Sequence, residues 1–399
     1  MYENQYYIMR KKVVFIIVDG MADLPEEKTP LSEAFTPNLD SLASNGVTGT
    51  LNLLPKTIPV WSHFADVSLL GFNPKRYYLK RGPLEAIAAG IPLEGDFLAI
   101  RCNFATIDEN GKVIDRRAGR KEYGLNEIVR TINSSVNLGI PYVFLRTYGH
   151  RAVLVLKAKL SDKVSENDPL ETGKAPKPIK ALVKSKRAKL TARILNDFIN
   201  KAHSLMEFHP KNLERMNLGY LPANYIIMRE PGNKVQPLPD FKKRWKIEKA
   251  VCISEPGVTK AVCMLAGFDA VTIKPKGFKE DLEEIFSQIF DLLPEYNFIL
   301  AHIKGPDEPG HDGNFEKKKE MIEEIDKRLE EFLDFEGILV LTADHITSWK
   351  TKKHEHGPVP VLVYGRGRDR VKKFDELSVK KGRLKKYTGG KLWKYIFKR

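Results

Sequence analysis

Six apolar residues in a row, Val13 to Val18, run straight into Asp19 and Gly20, and this stretch narrows the folds open to the chain. A strand wetted on one face alternates apolar and polar residues, whereas one covered on both faces is apolar throughout. The stretch therefore predicts a strand inside a parallel sheet flanked by helices. The last third of the chain repeats the pattern. Tyr296 to Ile303 and Gly337 to Thr342 read as apolar strands, the first leading to Asp307 and the second to Asp344 and His345, and Val359 to Tyr364 reads as one more. Helical patterns separate them: Glu280 to Leu293 is amphipathic, and Phe315 to Phe335 is long and charged. Thr36-Pro37-Asn38 has the form of a helix start, with Leu39, Leu42 and Ala43 on one face, and Pro83 to Ala89 predicts a short helix. Strands alternating with helices predict an α/β fold, a doubly wound, mostly parallel sheet whose functional residues gather at the carboxyl ends of the strands.

The middle of the chain reads differently. Short strands (Phe97 to Arg101, Tyr142 to Arg146, Ala152 to Leu156) mix with polar loops and one basic helix near Lys180 to Phe208, and Pro237 to Pro239 closes the region. The expected organisation is a discontinuous core domain, 11–95 and 241–399, carrying a smaller inserted α+β domain, 96–240. Neither half contains internal repeats or low-complexity tracts.

Charge and composition limit the partners. With 66 Lys and Arg against 51 Asp and Glu, the chain carries +15, which attracts polyanions and small phosphorylated substrates alike. The cations form runs at Lys184 to Lys189, Lys242 to Lys249, Lys350 to Lys353 and from Lys380 onward, with no zinc finger or RNP motif beside them, so a nucleic-acid partner is not expected. No stretch approaches the roughly 20 apolar residues that cross a bilayer. Residues 1–10 lack the apolar segment of a signal peptide, and Met9 could serve as an alternative start. Cys102, Cys252 and Cys263 are too few and scattered for a disulfide framework and fit buried thiols in a reducing cytoplasm. The oligomeric state is not encoded in any pattern visible here.

Three clusters stand where strands end: Asp19-Gly20, Asp307 with His311, and Asp344-His345 followed by His354 and His356. Carboxylate oxygen with imidazole nitrogen is the mixed donor set of zinc, manganese and similar ions. Asp307 and His311 are four apart, so a helical turn puts them on one face, while Pro309-Gly310 between them suits a tight loop that also brings them together. If all three clusters follow strands of one sheet, they converge on one edge, where several acids are tolerable only beside cations.

These residues sit in longer motifs. Leu341-Thr342-Ala343-Asp344-His345, with His354 and Pro358-Val359-Pro360 downstream, resembles the archaeal type of cofactor-independent phosphoglycerate mutases, of the alkaline-phosphatase superfamily. So do His302 to Gly313, Val18 to Asp23, Cys102 to Thr106, Asp115 to Arg120 and Gly149-His150-Arg151, over a span from about Lys12 to at least Tyr364. The resemblance implies two divalent ions (Mn, Zn, Co or Mg), one held by Asp307, His311 and His354, the other by Asp19, Ser62, Asp344 and His345. It implies Ser62 as the nucleophile, with Arg81, Arg117, Arg120, His150 and Arg151 binding a small phosphorylated substrate. Arg117 and Lys249 would assist the transfer, His356 would be a spare, and the inserted domain would close over the glycerate.

Around the nucleophile the chain departs from the pattern. Where the archaeal mutases read Gly-Ser-Asp-Thr-Ala-His, this chain reads Trp61-Ser62-His63-Phe64-Ala65-Asp66, so acid and histidine have exchanged places. The family's Lys-Gly appears as Pro256-Gly257. The expected activity is interconversion of 3-phosphoglycerate and 2-phosphoglycerate through a phosphoserine. Two alternatives stay open: a diverged metal-dependent phosphohydrolase or phosphotransferase, and a non-catalytic basic binding protein.

Overall fold

The computed structural model describes residues 12–25 and 28–397; Met9 and the rest of the segment before Lys12 lie outside them. Its strands in chain order are β1 (Val13–Val18), β2 (Val47–Leu51), β3 (Leu98–Ile107), β4 (Val113–Asp115), β5 (Tyr142–Tyr148), β6 (Arg151–Leu156), β7 (Tyr225–Gly232) and β8 (Ala250–Ser254). Then follow β9 (Asp269–Thr272), β10 (Phe298–Ile303), β11 (Ile338–Ala343), β12 (Ile346–Ser348), β13 (Lys353–Glu355), β14 (Val359–Tyr364) and β15 (Leu384–Tyr387). No helix among the described residues is long and apolar enough to cross a membrane.

The chain divides into two compact units. The first runs to Tyr78 and resumes over Pro237–Glu255 and from Val262 onward. Its eight-stranded sheet has the order β15-β2-β14-β11-β1-β10-β8-β9, with β1 at the centre as its composition requires. Every residue of β1, β10 and β11 is buried, because helices leave no face of these strands in water. Val18 pairs in parallel with Ile303 on one side and Ala343 on the other, so three strands end level and release their next residues at one rim. The single reversed strand is β14, antiparallel to both β11 and β2. Strand β2 has no apolar run to announce it. Its Val-Thr-Gly-Thr-Leu sequence is buried because Gly49 lets the backbone of Leu384 in β15 pass where a side chain would stand.

The second unit comprises Leu79–Gln236 and Pro256–Ala261. It takes in the helix Arg81–Ala88, which lies against β3, β6 and β7, ahead of the 95/96 border expected from composition. An antiparallel five-stranded sheet, β4-β3-β6-β5 with β7 also paired to β3, forms its centre. Leu98, Ile100, Cys102 and Phe104 alternate onto a face covered by the helices Leu125–Ser135 and Lys186–Glu207. Ala99 turns the other way, toward Ala86 and Val153. The period of two in β3 thus serves two small cores. All three cysteines are buried free thiols.

Candidate functional site

Asp19 follows β1, Asp344 follows β11, and Asp307 opens the short helix Asp307–Asp312 after β10, so level strand ends deliver three carboxylates to one rim. Backbone contacts fix them: Asp19 N donates to Ile303 O at 2.9 Å, and Gly20 N to Asp344 Oδ1 at 3.1 Å. Gly20 has φ +61°, and a Cβ there would stand 2.7 Å from Asp307 Cα, so glycine alone lets the two loops touch. Of the two routes open for Asp307 and His311, the chain takes the helical one. Pro309 lies in the first turn, where an amide donor is not needed.

His311 Nε2 lies 3.5 Å from Asp307 Oδ2, and His354 Nε2, on β13, lies 3.1 Å from Asp307 Oδ1. The two Nε2 atoms are 3.0 Å apart. The other nitrogen of each ring faces a carbonyl, Lys352 O at 3.0 Å for His311 and Val60 O at 2.8 Å for His354. A carbonyl only accepts, so both Nδ1 atoms carry a proton, and the tautomer this selects presents the Nε2 lone pair inward. Lone pairs so close, beside a carboxylate, repel unless a cation lies among them. A divalent ion fits this donor set.

A second constellation adjoins it. His345 Nε2 lies 3.2 Å from Ser62 Oγ, 3.0 Å from Asp344 Oδ2 and 3.5 Å from Asp19 Oδ1. Its Nδ1 is 3.1 Å from Thr347 Oγ1, whose one proton goes to Asp307 Oδ1 at 2.6 Å. Burial opposes a charge on His345, yet Asp344, Asp19 and Asp307 push its pKa up to about 10. Burial first, then the charges of Asp344 and Asp307, holds Asp19 well above the usual carboxylate range. Asp19 Oδ1, Asp344 Oδ2 and His302 Nε2 are buried without a hydrogen-bond partner. Donor-less buried carboxylate oxygens are what a bound cation satisfies. Among the described residues three groups bring ligand atoms within 4.8 Å of one another: Asp307 with His311 and His354, Asp19 with Asp307 and His345, and Asp19 with His302 and Asp344. His63, Asp66 and the exposed His356 belong to none of them.

Ser62 is the first residue of the helix Ser62–Leu69, whose unpaired amides and dipole place positive potential at the hydroxyl. The far end of that helix is pinned by the buried Trp393, whose Nε1 donates to Leu69 O at 2.5 Å. Trp61 caps the near end and stacks on Phe64 with ring centroids 5.7 Å apart, while Phe64 contacts Tyr78 at 4.8 Å. His63 and Asp66 are buried in the same helix.

One buried ammonium ties the ligand loops together. Lys318, on the helix Phe315–Leu329, is fully enclosed, and its Nζ donates to Ala22 O at 3.1 Å, Asp23 Oδ2 at 3.0 Å and Thr347 O at 2.6 Å. These acceptors use all three of its protons. Asp23 lies four residues beyond Asp19, and Thr347 two beyond His345.

The second unit holds its own electrostatic anomaly. Burial and then the charges of Arg151, Arg117, Arg101 and Arg120 push His150 down to about 3, so four guanidiniums act on one imidazole. Arg81 and Arg151 likewise act on the partly buried Arg101. Glu85 answers part of this charge, 3.4 Å from Arg81 and 3.9 Å from Arg101. The turn bearing Arg117 and Arg120 is strained, with φ of 46° at Ala118 and 58° at Arg120. Buried Arg215 holds it by donating to Ala118 O at 2.8 Å, Lys121 O at 2.8 Å and Tyr123 O at 2.7 Å. Such a concentration of guanidiniums suits a ligand with more than one anionic group.

Lys249 is not where the resemblance implied. It precedes β8, which runs parallel to β10, and its carbonyl accepts from Asn297 N and Phe298 N at the start of β10. It therefore stands at the rim opposite Asp19 and Asp307, paired with Glu295 at 3.0 Å and half exposed. A motif of three residues carries no information about which end of a strand it occupies. The lysine at the ligand rim is Lys304, directly after β10 and 3.0 Å from Glu255.

A family profile described as 2,3-bisphosphoglycerate-independent phosphoglycerate mutase matches residues 43–212. A protein of that name from Methanothermobacter thermautotrophicus is 39% identical over 391 residues, 95% of each chain. The chain belongs to this mutase family. Another member, from Methanocaldococcus jannaschii, is 37% identical over 96% of each chain. Among solved structures, a Pyrococcus horikoshii protein superposes with a TM-score of 0.76 at 28% identity over 97% of both chains. The cofactor-independent phosphoglycerate mutase of Thermoplasma acidophilum gives 0.60 at 29% identity, over 97% of this chain and 98% of that one. The mutase fold explains why the metal-type residues meet. It also shows what motif reading passed over: His302, Lys304 and Thr347 at the rim, and Arg101 in the guanidinium group. Each lies inside or beside one of the motifs, and strand register was the signal that could have found His302, Lys304 and Arg101.

Proposed function

We propose that this chain interconverts 3-phosphoglycerate and 2-phosphoglycerate, with Ser62 carrying the phosphoryl group between them. The observation that carries the reading is Ser62 Oγ lying 3.2 Å from His345 Nε2 at the amino end of a helix, among Asp19, Asp344 and His345. Asp307, His311 and His354 would hold one divalent ion, and Asp19, Ser62, Asp344 and His345 the other; Mn, Zn, Co and Mg all suit oxygen and nitrogen donors. When bound, these ions would supply Lewis acidity that favours the Ser62 alkoxide and neutralises phosphoryl oxygens.

In the forward half-reaction the Ser62 Oγ–P bond forms as the ester bond to the 3-oxygen of glycerate breaks, and the proton lost by Ser62 ends on that oxygen. In the return the 2-oxygen takes the phosphoryl group, the Oγ–P bond breaks, and a proton returns to Oγ. The helix amino terminus at Ser62 favours the anionic oxygens in both steps. Arg81, Arg117, Arg120, His150 and Arg151, with Arg101, would bind the carboxylate and phosphate of the substrate, and exclusion of water from the phosphoserine would keep the enzyme a mutase. Three free buried thiols fit a cytoplasmic setting.

The test is an enolase-coupled assay of metal-loaded protein with 3-phosphoglycerate. Turnover abolished by Ser62→Ala is expected; no turnover with any of the four metals overturns the reading. The stacked Trp61 and Phe64, where relatives carry small residues, favour one second reading, hydrolysis of a different phosphomonoester. Phosphate release from a panel of esters, faster than isomerisation, would select it.

A further inference from the structure

The reversed strand β14 carries the chain away from the metal-type ligands. Because it is antiparallel to β11, with Tyr364 opposite Leu339 and Val361 opposite Thr342, its end lies beside the start of β11, across the sheet from Asp344. The loop that follows reaches a cleft of about 810 Å³ lined by Arg368, Arg370, Lys372, Lys381 and Arg383, with Asp369 as its one acid. Asp369 offsets one of these charges but forms no ion pair with any of the five side chains. Its Oδ2 accepts from Thr48 N at 2.8 Å, Thr48 Oγ1 at 3.2 Å and Arg383 N at 3.2 Å, and its Oδ1 from Val371 N at 3.0 Å. The carboxylate is thus occupied in shaping the loop, pinning it to β2 and to the turn before β15.

Among the described residues the five cations have no other acid lining the cleft with them. None of their charged heads is in an ion pair with a described residue, whereas Lys and Arg elsewhere on this surface commonly find one three or four residues away, as Lys201 does with Asp197 and Lys317 with Glu320. Five like charges drawn into one concavity raise each other's energy, and an arrangement of this kind concentrates anions. Three guanidiniums offer forked donors that match phosphate oxygens, and the two lysines add mobile point charges. The volume falls within the roughly 300–1,000 Å³ of ordinary small-ligand sites and far exceeds the need of a single phosphate ion. The cations line a concave cleft, unlike the extended stripe that tracks a nucleic-acid backbone.

We infer that this cleft, on the rim opposite the catalytic residues, binds a small anion bearing two or more phosphate groups. It lies outside the phosphoglycerate chemistry and owes nothing to Ser62 or its neighbours. Inorganic tripolyphosphate is a suitable probe, used on metal-loaded full-length protein with magnesium in excess. Acetylation rates of individual lysines, read by mass spectrometry, keep the cleft distinct from any phosphate bound at the catalytic rim. Tripolyphosphate should slow labelling of Lys372 and Lys381 saturably, and leave Lys189 on the helix Lys186–Glu207 unchanged. The double charge reversal Arg370→Glu and Arg383→Glu should weaken that protection by about tenfold or more, as loss of charge-assisted hydrogen bonds requires, while turnover of 3-phosphoglycerate is retained. Uniform protection of all lysines, equal protection by sulfate at matched ionic strength, or protection by a polynucleotide alone would each overturn the inference.

Discussion

The Nε2 atoms of His311 and His354 stand 3.0 Å apart while both rings spend their Nδ1 protons on carbonyl oxygens. Neither ring can donate to the other without becoming charged. Replacing His354 by Ala removes one of two opposed lone pairs and should weaken one bound ion by more than the roughly 10–100-fold typical of residues that only orient a ligand. Manganese titration followed by electron paramagnetic resonance checks this; unchanged stoichiometry and affinity would contradict the assigned ligand set.

Lys318 joins two segments that each carry metal-type residues, the one after Asp19 and the one after His345. The substitution Lys318→Met leaves Asp23 as a buried charge without its partner, a change of about 3–5 kcal/mol in stability. Urea unfolding measures that part. Since Thr347 also orients Asp307 and His345, metal affinity and kcat should fall together, with KM for 3-phosphoglycerate little altered. Lys318→Arg should restore part of both. A loss of stability with metal affinity intact would reduce Lys318 to a core residue.

Glu376 offers a pH test on the segment that follows Asp19. Burial raises its pKa to about 7 from an ordinary value of 4.5, against hydrogen bonds from Thr29 and from the Asp23 amide. A proton held more tightly in the folded state means that the folded chain binds more protons than the unfolded one between these values. Its contribution to stability is complete below pH 4.5 and is lost as the pH rises toward 7, to a total of roughly 3 kcal/mol. Glu376→Gln should flatten this part of the stability profile in denaturant titrations at stepped pH.

Lys249 and Lys304 separate motif from position. Lys249→Ala should leave kcat/KM within about twofold, because exposed ion pairs contribute little. Lys304→Ala, at the rim that carries Asp19 and Asp307, should lower kcat/KM by about tenfold or more, the scale of a lost charge-assisted contact. Equal effects in the coupled assay would erase the distinction between the two rims.

Much of this arrangement is legible in the amino-acid sequence. The apolar runs at Val13–Val18, Phe298–Ile303 and Ile338–Ala343 announce buried parallel strands, and the acids after them follow from where such strands end. Strand β2 was hidden because its burial rests on a glycine and two threonines, which have no apolar periodicity. His302 was hidden by lying within the strand, where its orientation depends on register. Thr347 and Lys318 act through a hydroxyl and an ammonium aimed at neighbours distant in sequence, and no local pattern marks such a partnership. Arg101 reads as an interruption in an apolar strand until Arg81, Arg151 and His150 are brought around it.

Strand β14 gives the sheet a property its parallel neighbours lack. Its six residues span about 20 Å, from the side that holds His354 to the side that holds Arg368. A parallel strand would need a helical return to make that journey. Here the backbone passes from one rim to the other as a single hydrogen-bonded rod, so the two chemically distinct edges of the sheet are mechanically adjacent along the polypeptide although they face opposite directions.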